Sequence, residues 1–82
     1  SGWTAYTERD ILLPGGATQR PDRVLIRGRD ARLLDYKTGT PRESDQAQVR
    51  AYADALQRMG YQVTDAQLFY TQNQEWRKVD IA

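Results

Sequence analysis

The 82-residue chain contains no cysteine and no histidine. The first absence rules out a disulfide framework and thiolate metal sites. The second removes His-dependent catalytic triads, and together they exclude the usual zinc-ligand patterns. Any metal chemistry must therefore rest on oxygen donors, which suit hard ions such as Mg²⁺, Mn²⁺ or Ca²⁺. An excess of charge of one sign is also missing. Twelve Lys and Arg against eleven Asp and Glu leave a net +1, so the chain as a whole has no electrostatic signature of a nucleic-acid binder. Lysine is scarce, with only Lys37 and Lys78, whereas arginine is abundant, and Arg20, Arg23, Arg27, Arg29 and Arg32 crowd one short region. Arginine is the better fork for phosphate, although arginines beside strands serve equally to solvate a surface. No apolar run approaches the length of a membrane span and no signal-peptide pattern opens the chain, which points to a soluble, cytoplasmic protein with no membrane partner.

The length predicts a single domain over residues 1–82 with a marginal core. Patterned sequence begins almost at once after Ser1-Gly2-Trp3 and runs up to Ile81-Ala82. The chain therefore reads as a piece of a larger protein, with Ser1-Gly2 as a tag remnant. Residues 4–13 alternate loosely as a first strand, with Thr7, Arg9, Ile11 and Leu13 on one side, before Pro14-Gly15-Gly16 forces a turn. A second strand is expected from Arg20 to Arg27 and a third from Asp30 to Lys37, joined by the two-residue turn Gly28-Arg29. Thr38-Gly39 breaks the third strand. Thr40-Pro41-Arg42-Glu43 has the form of a capping box with proline at the first helical position, with Ser44 as an alternative cap.

The helix that follows runs to about Met59 and stops at Gly60. Its buried face is read as Gln48, Tyr52, Ala55, Leu56 and Met59, with Arg50, Asp54 and Arg58 as a charged ladder opposite. Two further strands, 62–71 and 75–81, flank Gln72-Asn73-Gln74. The expected fold is α/β with a mixed, mostly antiparallel five-stranded sheet: a three-strand meander, a helical crossover that makes its flanking strands parallel, and two more strands. Trp3 and Trp76 are expected at the edges of the core rather than under nucleic-acid bases.

The tripeptide Asp35-Tyr36-Lys37 is the most informative stretch. A two-residue turn at Gly28-Arg29 sets Arg27 opposite Asp30, Val24 opposite Leu33 and Asp22 opposite Asp35, on a face shared with Ile26, Ala31, Leu33 and Lys37. A turn one residue longer places Asp22 on the other face. Two facing carboxylates repel and call for a cation. Lys37 can be that cation as a simple ion pair capping the sheet. Alternatively Asp22 and Asp35 bind a divalent metal beside a phosphodiester, Lys37 neutralises transition-state charge and Gln48, early in the helix, holds substrate or metal water.

The order Asp22, Asp35-x-Lys37, Gln48-x-x-x-Tyr52 resembles the PD-(D/E)XK nuclease superfamily, specifically its RecB-type nuclease domain. That domain carries Asp-Tyr-Lys-Thr-Gly, here Asp35-Tyr36-Lys37-Thr38-Gly39, and a following Gln-x-x-x-Tyr helix, here Gln48-Val49-Arg50-Ala51-Tyr52. The phrase Arg20-Pro21-Asp22-Arg23-Val24 is most similar to domains at the C-terminus of UvrD-like, AddA-type helicases.

The resemblance implies a restriction-endonuclease-like core and metal binding (Mg²⁺ or Mn²⁺) by Asp22, Asp35 and the Tyr36 carbonyl. It further implies catalysis by Asp22, Asp35 and Lys37 with Gln48, and DNA contacts from Arg20, Arg23 and Tyr52. The implied setting is an exonuclease module of a helicase-nuclease in double-strand break repair and recombination. Its partners would be DNA, fused N-terminal helicase domains that bind ATP, and a second subunit of a repair complex. The family's N-terminal helix, which often adds a further Glu or His to the site, is not expected in this sequence. Glu8 reads as a surface strand residue. The competing reading is a non-catalytic DNA-binding or scaffolding domain of a helicase that keeps the fold without turnover.

Overall fold

A tight hairpin sets the frame of the computed structural model, which describes residues 2–7 and 21–81. Three strands form the meander: β1 (Thr4–Thr7), β2 (Arg23–Arg27) and β3 (Asp30–Lys37). Gly28, at φ +62°, takes the left-handed conformation that a two-residue turn demands, and no side chain occupies the space around it. The turn delivers the expected register, with Arg27 opposite Asp30 and Val24 opposite Leu33. The helix α1 (Glu43–Arg58) then carries the chain across to β4 (Gln62–Tyr70), which runs parallel to β3, and β5 (Glu75–Lys78) returns antiparallel. The sheet order is β1-β2-β3-β4-β5, so three ladders are antiparallel and one is parallel, in a mixed α/β architecture as expected.

Several boundaries differ from the sequence expectation. The part of the first strand beyond Thr7, the Pro14-Gly15-Gly16 turn and Arg20 lie outside the described residues. β2 starts at Arg23 because Pro21 and Asp22 leave the ladder, whose last pair is Arg23 with Leu34. β4 ends at Tyr70, and β5 ends at Lys78. Between Ala31 and Arg32 the β3–β4 register slips, pairing Ala31 with Val63 and Arg32 with Asp65 and bulging out Thr64. That bulge resets the alternation, which is why Val63 and Ala66, three residues apart, are both buried.

The helix begins two residues later than Thr40-Pro41 suggested. Arg42 is the cap, extended at φ −129° and ψ 149°, and its N–H donates to Asp45 Oδ2 at 3.2 Å. The acid that closes this box is Asp45, so neither Thr40 nor Ser44 caps the helix. The buried stripe is Val49, Tyr52, Ala53 and Leu56, spaced i, i+3, i+4, i+7. Met59 is 46% exposed because it is the C-cap, past the last helical turn, with Gly60 at φ +100° beyond it. Of the charged ladder, Arg58 pairs with Asp54 at 3.0 Å, whereas Arg50 turns to Gln46 and to the Asp80 carbonyl.

The helix stripe packs on one sheet face against Val24, Ala31 and Leu33 from the meander and Ala66, Leu68 and Tyr70 from β4, with Val79 closing the edge. The opposite face carries Leu25, Leu34, Tyr36, Phe69 and Trp76. Trp76 is 56% exposed and tilts against Phe69 at 4.6 Å, so it does not fill a core edge. The guanidinium groups of Arg27 and Arg32 lie over the Trp3 ring, 4.6 and 4.3 Å from its centre. Among the described residues no helix is long and apolar enough to cross a membrane.

Candidate active site

The acidic pair meets where Asp22, just before β2, faces Asp35 near the C-terminal end of β3. Pro21 is fully buried, and its missing N–H and fixed φ end the β2 ladder so that the backbone bends at Asp22. Past the last ladder pair, side chains take over the pairing. The Asp22 N–H donates to Asp35 Oδ1 at 3.1 Å, and the Tyr36 N–H donates to Asp22 Oδ2 at 2.8 Å. Asp22 therefore meets Asp35 as anticipated, but through reciprocal backbone-to-carboxylate bonds rather than as a regular ladder partner.

Among the described residues, Asp35 is the one charged side chain in the core, at 4% exposure. Its desolvation, together with a hydrogen bond to the Asp22 carboxyl and the charge of Asp22, pushes its pKa up from 3.8 to about 6. The Asp22 N–H and the Lys37 ammonium, 3.3 Å from Asp35 Oδ2, favour the charged form, but burial outweighs them. Lys37 is a quarter exposed and donates to Gln48 Oε1 at 2.6 Å. Asp22, Asp35, Lys37 and Gln48 thus meet at one corner, as the parallel crossover implied.

Other candidates stand further off. Arg23 is exposed on the far side of β2, paired with Thr7 and Leu34. Tyr52 is 6% exposed and belongs to the core one helical turn beyond Gln48. Glu8 and Arg20 lie outside the described residues. Three residues that shape the corner escape a reading of the sequence: Pro21, and the pair Asp45 and Tyr70, joined by a hydrogen bond of 2.9 Å. Only Pro21 had a signal, in standing directly before the first acid.

Among the described residues no group of three or more acidic side chains gathers to hold an ion. A cation here would use two carboxylates, the Tyr36 carbonyl and water. That donor set fits Mg²⁺, which keeps much of its hydration, and a divalent charge would relieve the buried Asp35 carboxyl, whose pKa is raised by desolvation and by the neighbouring Asp22.

The family model of the PD-(D/E)XK nuclease superfamily matches residues 18–80. The chain belongs to that superfamily. Pro21-Asp22 and Asp35-Tyr36-Lys37 supply the two halves of the pattern that names it, and the sheet with its single helix is consistent with a restriction-endonuclease-like fold. Membership brings nuclease-type function, DNA as the class of partner and the divalent metal ions that PD-(D/E)XK nucleases generally use. No curated protein and no solved structure matches the chain significantly.

Proposed function

We propose that the protein is a RecB-type, metal-dependent exodeoxyribonuclease module, working within a helicase-nuclease in double-strand break repair and recombination. One observation carries this reading: the Lys37 ammonium stands between the buried Asp35 carboxylate and the Gln48 amide, with Asp22 bonded across the strand end. A simple sheet-capping ion pair has no need of the second carboxylate or of the amide.

Mg²⁺ or Mn²⁺ would be held by Asp22, Asp35 and the Tyr36 carbonyl, and when bound supplies polarisation of the phosphodiester and a lowered pKa for water. The Lys37 ammonium, a quarter exposed beside Asp35, would face the phosphate, where negative charge develops in the transition state. Gln48 orients that ammonium. Arg20 and Arg23 grip the phosphate backbone, and Tyr52 contributes from the core by bracing the helix turn that carries Gln48. The RecB assignment rests on Asp35-Tyr36-Lys37-Thr38-Gly39 and Gln48-x-x-x-Tyr52 in this order, and brings with it fused N-terminal helicase domains with their ATP site and a second subunit of a repair complex.

Calorimetric titration of Mn²⁺ into the protein tests the reading. Saturable binding is expected, weakened at least roughly tenfold by either Asp22→Asn or Asp35→Asn. Absence of binding to the unaltered protein overturns the proposal in favour of a non-catalytic DNA-binding or scaffolding domain.

A further inference from the structure

Tyr70 is 1% exposed, yet its hydroxyl needs a partner. It donates to Asp45 Oδ2 at 2.9 Å, the same oxygen that accepts the Arg42 N–H at the start of α1. Burial and the neighbouring carboxylate both push the Tyr70 pKa up, so the phenol stays a donor throughout the neutral range.

Both ends of this bond lead to Lys37 and Gln48. Tyr70 is the β4 partner of Lys37, and the next residue, Thr71, donates its N–H at 2.9 Å and its hydroxyl at 3.3 Å to the Lys37 carbonyl. Asp45 precedes Gln48 by three residues and shares its helix face, and Gln48 Oε1 receives the Lys37 ammonium. A closed circuit results, running from the Lys37 backbone through β4, Tyr70, Asp45 and the first turns of α1 to Gln48, and back to the Lys37 side chain.

We infer that the Tyr70–Asp45 hydrogen bond is a clamp that fixes the N-terminus of α1 over the end of the parallel strands and thereby positions the Lys37–Gln48 pair for the nuclease reaction. Tyr70 and Asp45 are positioning residues and touch no reacting atom. The inference rests on the nuclease reading for its kinetic consequence and on geometry alone for its structural one. Without the clamp, the first turn of α1 loses its hydrogen bond to the end of β4. A lysine whose amide partner can drift loses the defined placement that transition-state stabilisation requires.

Tyr70→Phe removes the bond and keeps the buried ring. Two readouts are taken: the single-turnover rate of DNA cleavage with Mg²⁺ per folded molecule in the full-length protein, and the Lys37 ¹⁵Nζ NMR signal. The NMR signal is read in the 82-residue chain, whose only two lysines let Lys78→Arg assign it. Tyr70→Phe is expected to slow cleavage roughly 10- to 100-fold and to move the Lys37 signal toward that of a freely solvated amine. Added to Gln48→Ala it should cost far less, because the clamp acts through Gln48. Asp45→Asn, whose side-chain oxygen still accepts from Tyr70, should retain most of the rate, and Asp45→Leu should not. A Tyr70→Phe protein with the original rate and an unmoved Lys37 signal overturns the clamp. Should the unaltered protein cleave no DNA, the nuclease reading falls and the Lys37 signal alone decides: a shift in Tyr70→Phe supports the clamp, and no shift overturns it.

Discussion

Asp35 is the residue in which folding and function oppose each other. Its carboxyl is buried beside a second carboxyl, and its pKa stands near 6 instead of 3.8. Between those values the folded protein holds a proton that the unfolded chain has released, so the contribution of Asp35 to stability is fully present below about pH 4, falls as pH rises and is lost above about pH 6. The loss is on the order of 3 kcal/mol. Asp35→Asn should remove this slope and make the metal-free protein more stable than the original at pH 7–8, while the two converge near pH 4. Urea unfolding of both proteins across that range measures the difference. A metal-free Asp35→Asn protein less stable than the original at pH 8 would show that the charged carboxylate is a net structural asset, as the ion-pair reading requires. Asp22 and Lys37 were readable in the sequence as its neighbours because a strand places alternate residues on one face and the Gly28-Arg29 turn fixes which residues oppose. The bonds themselves were not, since at Asp22 the ladder has already ended and the pairing passes to side chains.

At the scale of the element, β3 was the most legible segment, with the observed limits Asp30–Lys37 matching the expectation. A turn glycine stands before it and Thr38-Gly39 after it. The helix was recognised, but its phase was misjudged. Gln48, Ala55 and Met59 were counted into the apolar stripe when Val49 and Ala53 complete it, because an amide reaching for Lys37, a half-buried alanine at the stripe's edge and a C-cap methionine all fall near the right spacing. The corrected phase has an energetic consequence. Leu56→Ala, in the core at 3% exposure, should cost about 2–5 kcal/mol. Met59→Ala, at the exposed end, should change stability by no more than about 0.5 kcal/mol. Chemical denaturation of the two variants checks this, and equal losses would restore the original stripe. The Asp45–Tyr70 bond was beyond sequence reading altogether: it joins residues 25 apart that carry no motif, and the Thr40-Pro41 signal drew the helix start away from Asp45.

At the scale of the described fold, the corner of Asp22, Asp35, Lys37 and Gln48 sits where the parallel β3–β4 pair and the N-terminus of α1 converge, and the sheet and helix hold that convergence in place. The helix covers one sheet face, so the side chains at the strand ends on that face, Asp35 and Lys37, stand between core and solvent. There a carboxylate is desolvated enough to favour a cation, and a lysine remains exposed enough to meet a substrate. The central claim is that Lys37 serves chemistry and is more than the counter-ion of Asp35. Single-turnover cleavage of DNA by the full-length protein, with Mg²⁺ and with chelator, compared with Lys37→Ala in the same assay and with folded fraction measured alongside, tests it directly. The expected result is metal-dependent cleavage that falls by about two orders of magnitude or more in Lys37→Ala while Mn²⁺ and DNA binding persist. A Lys37→Ala protein that is destabilised yet cleaves at the original rate per folded molecule would contradict it.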